Sequence, residues 1–143
     1  MPYRQRLIIE GFECKRDLYD IGLFHNFLED LTKILDMRVI VPPSIVRVPV
    51  PSPAPEIETG DHGLSGFLIW IESGAQIHSW PKDRLLTLDI YSCKRFEEEA
   101  AIGYFLYFFH PQEVKVNKPL QFRCIKDNAG MFQASQEYES TYD

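Results

Sequence analysis

Apolar and polar positions along the chain fall into short strand-like runs, interrupted by two longer stretches of helical period. RLIIEGFEC, residues 6 to 14, is an apolar run containing Gly11 and predicts a first strand. Phe24, Phe27, Leu28, Leu31, Ile34 and Leu35 then recur three and four apart, on one face of a helix that Asp20 can cap. MRVIVPPSIVRVPV, residues 37 to 50, has strand composition. Its paired prolines belong at an edge, bend or bulge, because proline cannot donate to a ladder. GFLIWIE (66 to 72) and AQIHSWP (75 to 81) predict two strands, with Ser73-Gly74 as the hairpin turn between them. LLTLDIYSC, residues 85 to 93, sets Leu86, Leu88 and Ile90 against Thr87, Asp89 and Tyr91 and predicts a third. A second helix over about 94 to 109 turns Ala101, Tyr104, Phe105 and Phe108 inward, and Pro111 stops it. EVKVNKPLQFRC, residues 113 to 124, alternates well enough for one or two last strands.

This order predicts an α+β two-layer sandwich, a mostly antiparallel sheet with helices on one face. One domain is expected over residues 1–126, with 127–143 a flexible C-terminal tail and 51 to 63 a mobile loop rich in proline and acid. Two helices cover one sheet face only. Large apolar groups, Trp70 and Trp80 among them, are expected on the other, where water does not tolerate a large contiguous patch. A homodimer burying sheet against sheet is the simplest remedy.

Charge and cysteine count narrow the chemistry. With 21 acids against 15 bases the formal charge is −6, which argues against nucleic acid as main partner. No apolar run approaches the roughly 20 residues of a membrane span. The start MPYRQR has no signal-peptide core, so the cytoplasm is the expected compartment. Cys14, Cys93 and Cys124 show no CxxC spacing, and His25, His62, His78 and His110 show no HxxxH or HxH, so neither disulfide framework nor metal site is expected. Taken singly, the remaining reactive groups read as ordinary structure: Cys93 as strand-end filler, His78 as a satisfied sheet residue, Ser65 as part of a glycine-flanked turn.

Their common register changes the picture. Gly63-Leu64-Ser65-Gly66, Glu72-Ser73-Gly74, Ile77-His78-Ser79-Trp80-Pro81-Lys82 and Asp89-Ile90-Tyr91-Ser92-Cys93-Lys94 follow one another after a strand-helix-strand opening. Ser73 lies eight residues after Ser65, five before His78 and twenty before Cys93. The set resembles the bacterial and archaeal, pyruvoyl-dependent class of S-adenosylmethionine decarboxylases. Those carry a G-V-S-G stretch, an E-S-H self-cleavage site, I-H-T-W-P-E and D-x-F-T-C-G. The resemblance runs from about residue 5 to 125, with an apparent insertion at 51 to 61.

The resemblance implies self-cleavage between Glu72 and Ser73 and a pyruvoyl cofactor made from Ser73. It implies that Ser65 and His78 serve the processing. The substrate α-amine then forms a Schiff base on the pyruvoyl ketone, and Cys93 is the acid that returns a proton to the α-carbon. The implied product enters polyamine (spermidine) biosynthesis, and the implied assembly is a homodimer with its sites near the interface. Three departures bear on the substrate. Gly74 replaces the histidine after the cleavage serine. Lys82 replaces the acid that in the family accepts the ribose hydroxyls, and an ammonium has only donors. The segment before Ser65 has no stacking aromatic but three acids, Glu56, Glu58 and Asp61. Those acids with Lys82 are the candidate substrate-binding residues, and an acidic loop suits the cationic side chain of ornithine or arginine as well. The rival from another class is a non-catalytic homologue that retains the fold.

Overall fold

The computed structural model describes residues 2–50, 61–119 and 121–137. The elements follow in the order β1 (Gln5–Phe12), α1 (Ile21–Ile34), β2 (Val39–Pro49), β3 (His62–Trp70), β4 (Ser73–Trp80), β5 (Leu85–Ser92), α2 (Glu98–Phe109), β6 (Glu113–Asn117), β7 (Gln121–Lys126) and β8 (Phe132–Glu137). A short 3-10 turn, Pro81–Asp83, joins β4 to β5. Six strands form one sheet in the order β2-β3-β4-β5-β1-β6, antiparallel at every pairing, and β7 and β8 form a separate ribbon. The architecture is the expected α+β sandwich.

The two helices form because each has apolar residues to bury, and α1 also has a side-chain cap to start it. Asp20 Oδ1 accepts the Leu23 N–H at 3.2 Å, and Phe24, Phe27, Leu28 and Leu31 face the core. Pairing with α2 runs through rings: Phe27 stacks on Tyr104 at 5.3 Å and meets Phe109 edge-on at 4.7 Å. Leu7 and Ile9, Leu68 and Trp70, Ala75 and Ile77, and Leu86, Leu88 and Ile90 supply the sheet side of the core. Buried polar groups find partners there. Trp70 Nε1 donates to Thr32 Oγ1 at 2.9 Å, and the Gln5 amide holds both the N–H and the carbonyl of Phe96 at 3.0 Å.

Three details differ from the sequence reading. Trp70 lies under α1, not on the uncovered face, because it keeps the inward parity of Leu64 and Leu68 along β3. The uncovered face instead carries Phe67, Ile69 and Tyr91, each 41% exposed. The hairpin turn is Ile71-Glu72, so Ser73 and Gly74 open β4 rather than form the turn. Residues Phe132–Glu137, expected within a tail, pair with β7. The prolines of β2 do fall at an irregularity: the β2–β3 register shifts on either side of Val41, on an edge strand where a missing N–H costs least.

Candidate active site

Ladder register decides which side chains meet. Val46, Ser65, His78, Thr87, Glu10 and Lys115 form one row across the uncovered face. Ile69, Gly74, Tyr91 and Arg6 form another, and Phe67, Gln76, Asp89 and Ile8 the row between. A cavity of about 620 Å³ lies over these rows, lined among others by Ser65, Phe67, Ser73, Gly74, His78 and Tyr91.

At one end of the cavity stands the Glu72–Ser73 peptide. Ser73 has φ 131°, a region that L-residues with side chains rarely adopt, and such strain persists only where the surroundings over-determine it. Three contacts do so. The Cys93 N–H donates to the Glu72 carbonyl at 2.7 Å, the Ile71 N–H donates to the Arg38 carbonyl at 2.8 Å, and Ser73 pairs with both Trp70 and Ser92. The Glu72 side chain is buried and clamped as well. Its Oε1 accepts the Arg38 backbone N–H and its Oε2 the Arg38 Nε–H, each at 2.9 Å. These bonds, the backbone one first, hold the Glu72 carboxyl below the usual glutamate range against the opposing effect of burial. Cys93 directly follows Ser92, the cross-strand partner of Ser73, and its side chain is exposed.

A clamp of this kind has a pH signature. Because the folded pKa of Glu72 is depressed, its stabilisation is present above the unfolded value of about 4.3 and is lost as pH falls through the folded value. Arg38→Ala, made in a Ser73→Ala chain to keep it in one piece, should melt below its parent at pH 7, and the gap should narrow toward pH 3. A gap independent of pH would show that the ion pair is not the cause.

His78 and Ser65 sit farther along the same cavity. Ser65 Oγ is 2.9 Å from His78 Nδ1, and His78 Nε2 is 3.4 Å from Gln76 Oε1. A proton on Nε2, donated to Gln76, leaves Nδ1 to accept from the Ser65 hydroxyl; we assign this tautomer because it suits both contacts. The structure therefore joins Ser65 with His78, and Glu72 with Ser73 and Cys93. It does not join the two groups within one chain, since five residues of extended strand separate Ser73 from His78 by about 17 Å.

Lys82 is exposed on the 3-10 turn at the far end of β4, and neither it nor Asp61 is among the residues lining the cavity. Asp61 instead accepts hydrogen bonds from the Tyr19 hydroxyl at 3.0 Å and the His62 N–H at 2.8 Å. Glu56 and Glu58 lie outside the described residues. Sequence reasoning missed Arg38 and Arg6, whose partners are 34 and 83 residues away in the chain. Only the alternation of charged and apolar residues on β1 and β5 hinted at the second. Gly74 has a plain reason: a β-carbon there would run into the Leu68 carbonyl, so β3 and β4 approach as they do because residue 74 has no side chain. Cys14 is buried, and burial with the nearby Glu13 charge pushes its thiol up to about 11, which keeps it out of nucleophilic chemistry. Among the described residues no group of three or more His, Cys, Asp or Glu is placed to hold a metal ion, and no helix is long and apolar enough to cross a membrane.

Fold and site together define a class: a two-layer α+β protein with a cavity over the uncovered face of an antiparallel sheet, lined by Ser65, His78 and a strained serine. The sequence pattern of the S-adenosylmethionine decarboxylase family matches residues 5–120. The chain belongs to that family of pyruvoyl-dependent carboxy-lyases. It is 28% identical over 100 residues to the S-adenosylmethionine decarboxylase proenzyme of Clostridium botulinum (strain Langeland), covering 68% of this chain and 76% of that one. It is 35% identical over 57 residues to the proenzyme of Pyrococcus abyssi, covering 39% and 41%. The crystal structure of the adenosylmethionine decarboxylase from Aquifex aeolicus shares the fold, with a TM-score of 0.59 at 18% identity over 81% of this chain and 88% of that one.

Proposed function

We propose that this chain cuts itself between Glu72 and Ser73, converts Ser73 into a pyruvoyl group, and decarboxylates an α-amino acid, nominally S-adenosylmethionine, for polyamine synthesis. What carries the reading is the Glu72 carbonyl, held at 2.7 Å by the Cys93 N–H and followed by a serine in a strained conformation. A pyruvoyl group fits here because a serine with a strained backbone follows a carbonyl that an amide donor already holds.

The processing steps balance as follows. Ser73 Oγ attacks the Glu72 carbonyl carbon, and negative charge develops on the oxygen that the Cys93 amide already contacts. The C–N bond then breaks, the nitrogen takes a proton, and an ester joins Glu72 to Ser73. A base removes the Ser73 α-proton and the Cβ–O bond breaks, which frees Glu72 as a new carboxylate terminus. Water enters and ammonia leaves to give the ketone. Arg38 keeps hold of the Glu72 side chain throughout, so the new terminus stays docked. Once formed, the ketone supplies an electron sink for the pair left behind by carbon dioxide. Cys93 Sγ is the group we assign to return a proton to the substrate α-carbon.

His78 is suited to move the processing proton, because its two ring nitrogens already contact the Ser65 hydroxyl and Gln76 Oε1. About 17 Å within one chain is too far for that. A second copy, two-fold related across the uncovered face near the middle of β4, brings its own Ser65–His78 pair toward this Ser73. The same contact covers Phe67, Ile69 and Tyr91. The site thus needs the homodimer.

A denaturing gel of the purified, incubated protein should show two pieces, residues 1–72 and 73–143. Light scattering should report a dimer of the 16.7 kDa chain at micromolar concentration. An intact chain with Ser73 unchanged would leave a non-catalytic homologue that retains the fold, and a monomer that still cleaves would remove the shared site.

A further inference from the structure

The cavity holds one charged pair that the processing chemistry does not use, and only its carboxylate, Asp89, falls within the family's motifs. Arg6 on β1 and Asp89 on β5 both line it. Arg6 Nε lies 3.1 Å from Asp89 Oδ1 and Nη2 2.6 Å from Oδ2. This side-on clasp fixes the guanidinium plane and uses Nε and one N–H of Nη2. The end-on fork, formed by the Nη1 and Nη2 groups, is left over. A planar fork of this kind matches a carboxylate with two parallel N–H···O bonds. Arg6 is nearly half exposed toward the cavity side of the sheet, so the fork is not walled in by its own domain.

Gly74 links this fork to the reacting residue. Arg6 pairs with Tyr91 and Tyr91 with Gly74, which directly follows Ser73. Two strand spacings separate the Arg6 and Gly74 backbones by about 10 Å. Tyr91, 41% exposed, stands between them in that row, while a β-carbon at residue 74 would meet the Leu68 carbonyl on β3. An arginine side chain and a substrate held by its amine at residue 73 together span that gap. From this geometry we infer that Arg6, oriented by Asp89, receives the α-carboxylate of the substrate beside Tyr91 in the cavity that Ser73 also lines. The inference rests on the decarboxylase reading for the identity of the ligand.

This role has an unusual kinetic signature. The carboxylate is the group that departs as neutral carbon dioxide, so its bonds to Arg6 stabilise the ground state at least as well as the transition state. Arg6 therefore lowers KM without raising kcat, and sharing its charge with Asp89 limits how firmly it holds the leaving group. Arg6→Gln in the processed protein should raise KM by about 10- to 100-fold, the usual effect of losing a charge-assisted hydrogen bond. The kcat should be unchanged or slightly higher, and inhibition by the product amine, which lacks the carboxylate, should not move. Arg6→Lys, which keeps the charge but not the fork, should recover part of the KM. A merely structural role would lower kcat and weaken the product amine in parallel, and that outcome overturns the inference. The same question has a form that needs no turnover. Calorimetry of the purified chain against three acid and amine pairs (S-adenosylmethionine and its decarboxylated form, ornithine and putrescine, arginine and agmatine) should show a preference for the carboxylate member of at least one pair. The preference should vanish in Arg6→Gln. No carboxylate preference in any pair overturns the inference whether or not the chain cleaves, whereas failure to cleave, read on the gel, counts only against the processing reaction.

Discussion

Ser73→Ala leaves the chain in one piece and without decarboxylase activity. Alanine has no Oγ to attack the Glu72 carbonyl, so no ester forms and no ketone follows. The amide polarised by Cys93 at 2.7 Å then stays intact however well it is held. The loss should be complete on both a denaturing gel and a carbon dioxide release assay. Stability should stay level, because alanine keeps the same β-carbon at φ 131° and leaves no buried cavity behind. Two fragments appearing from Ser73→Ala would place the cut elsewhere and end the assignment of Ser73. Ser73→Thr offers a graded check, since it keeps a hydroxyl but adds a methyl at a backbone torsion that β-branched residues tolerate poorly.

Cys93→Ala separates the two stages. The backbone N–H that holds the Glu72 carbonyl survives the substitution, so cleavage should proceed to the same two fragments. Decarboxylation should fall by about 10²–10⁴-fold, the ordinary contribution of a positioned general acid. Part of the product should also be misdirected, because the α-carbon receives its proton from water or from another group. The measurement is turnover per cleaved chain, so incomplete processing cannot imitate a catalytic defect. Full turnover in cleaved Cys93→Ala would remove the thiol from the reaction, and failure to cleave would give it a part in processing.

The comparison of sequence with structure turns on what kind of contact each element depends on. The helices were legible because their determinants are local. The three-and-four spacing of Phe24, Phe27, Leu28 and Leu31 and the Asp20 cap lie within one stretch of chain, and Asp20 does cap α1. The antiparallel class and all the strands but β8 followed from alternation, and the irregularity at Pro42 and Pro43 from the missing N–H. Boundaries were less secure. The turn moved two residues, to Ile71-Glu72, because Ser73 already pairs with Ser92 on a strand that sequence alone cannot align. Trp70 was placed on the wrong face for a related reason. Parity fixes which residues share a face, but only the docking of α1 decides which face is inside.

Within the site, the sequence by itself supplied the candidates, Ser65, Ser73, His78 and Cys93 with Glu72, because residue type and linear spacing are enough to match the family's motifs. It left the grouping undecided. Tertiary structure divided those residues into a Ser65–His78 pair and a Glu72–Ser73–Cys93 cluster, with Ser65, His78 and Ser73 along one cavity, and it added Arg38 and the pairing of Arg6 with the motif residue Asp89. The physical reason is the geometry of a pleated sheet. Cross-strand neighbours lie about 5 Å apart whatever their separation in the chain, while residues five apart along one extended strand are about 17 Å apart. Linear proximity therefore overstated the closeness of Ser73 and His78. It also hid Arg6 from Asp89, two residues 83 positions apart whose side chains touch.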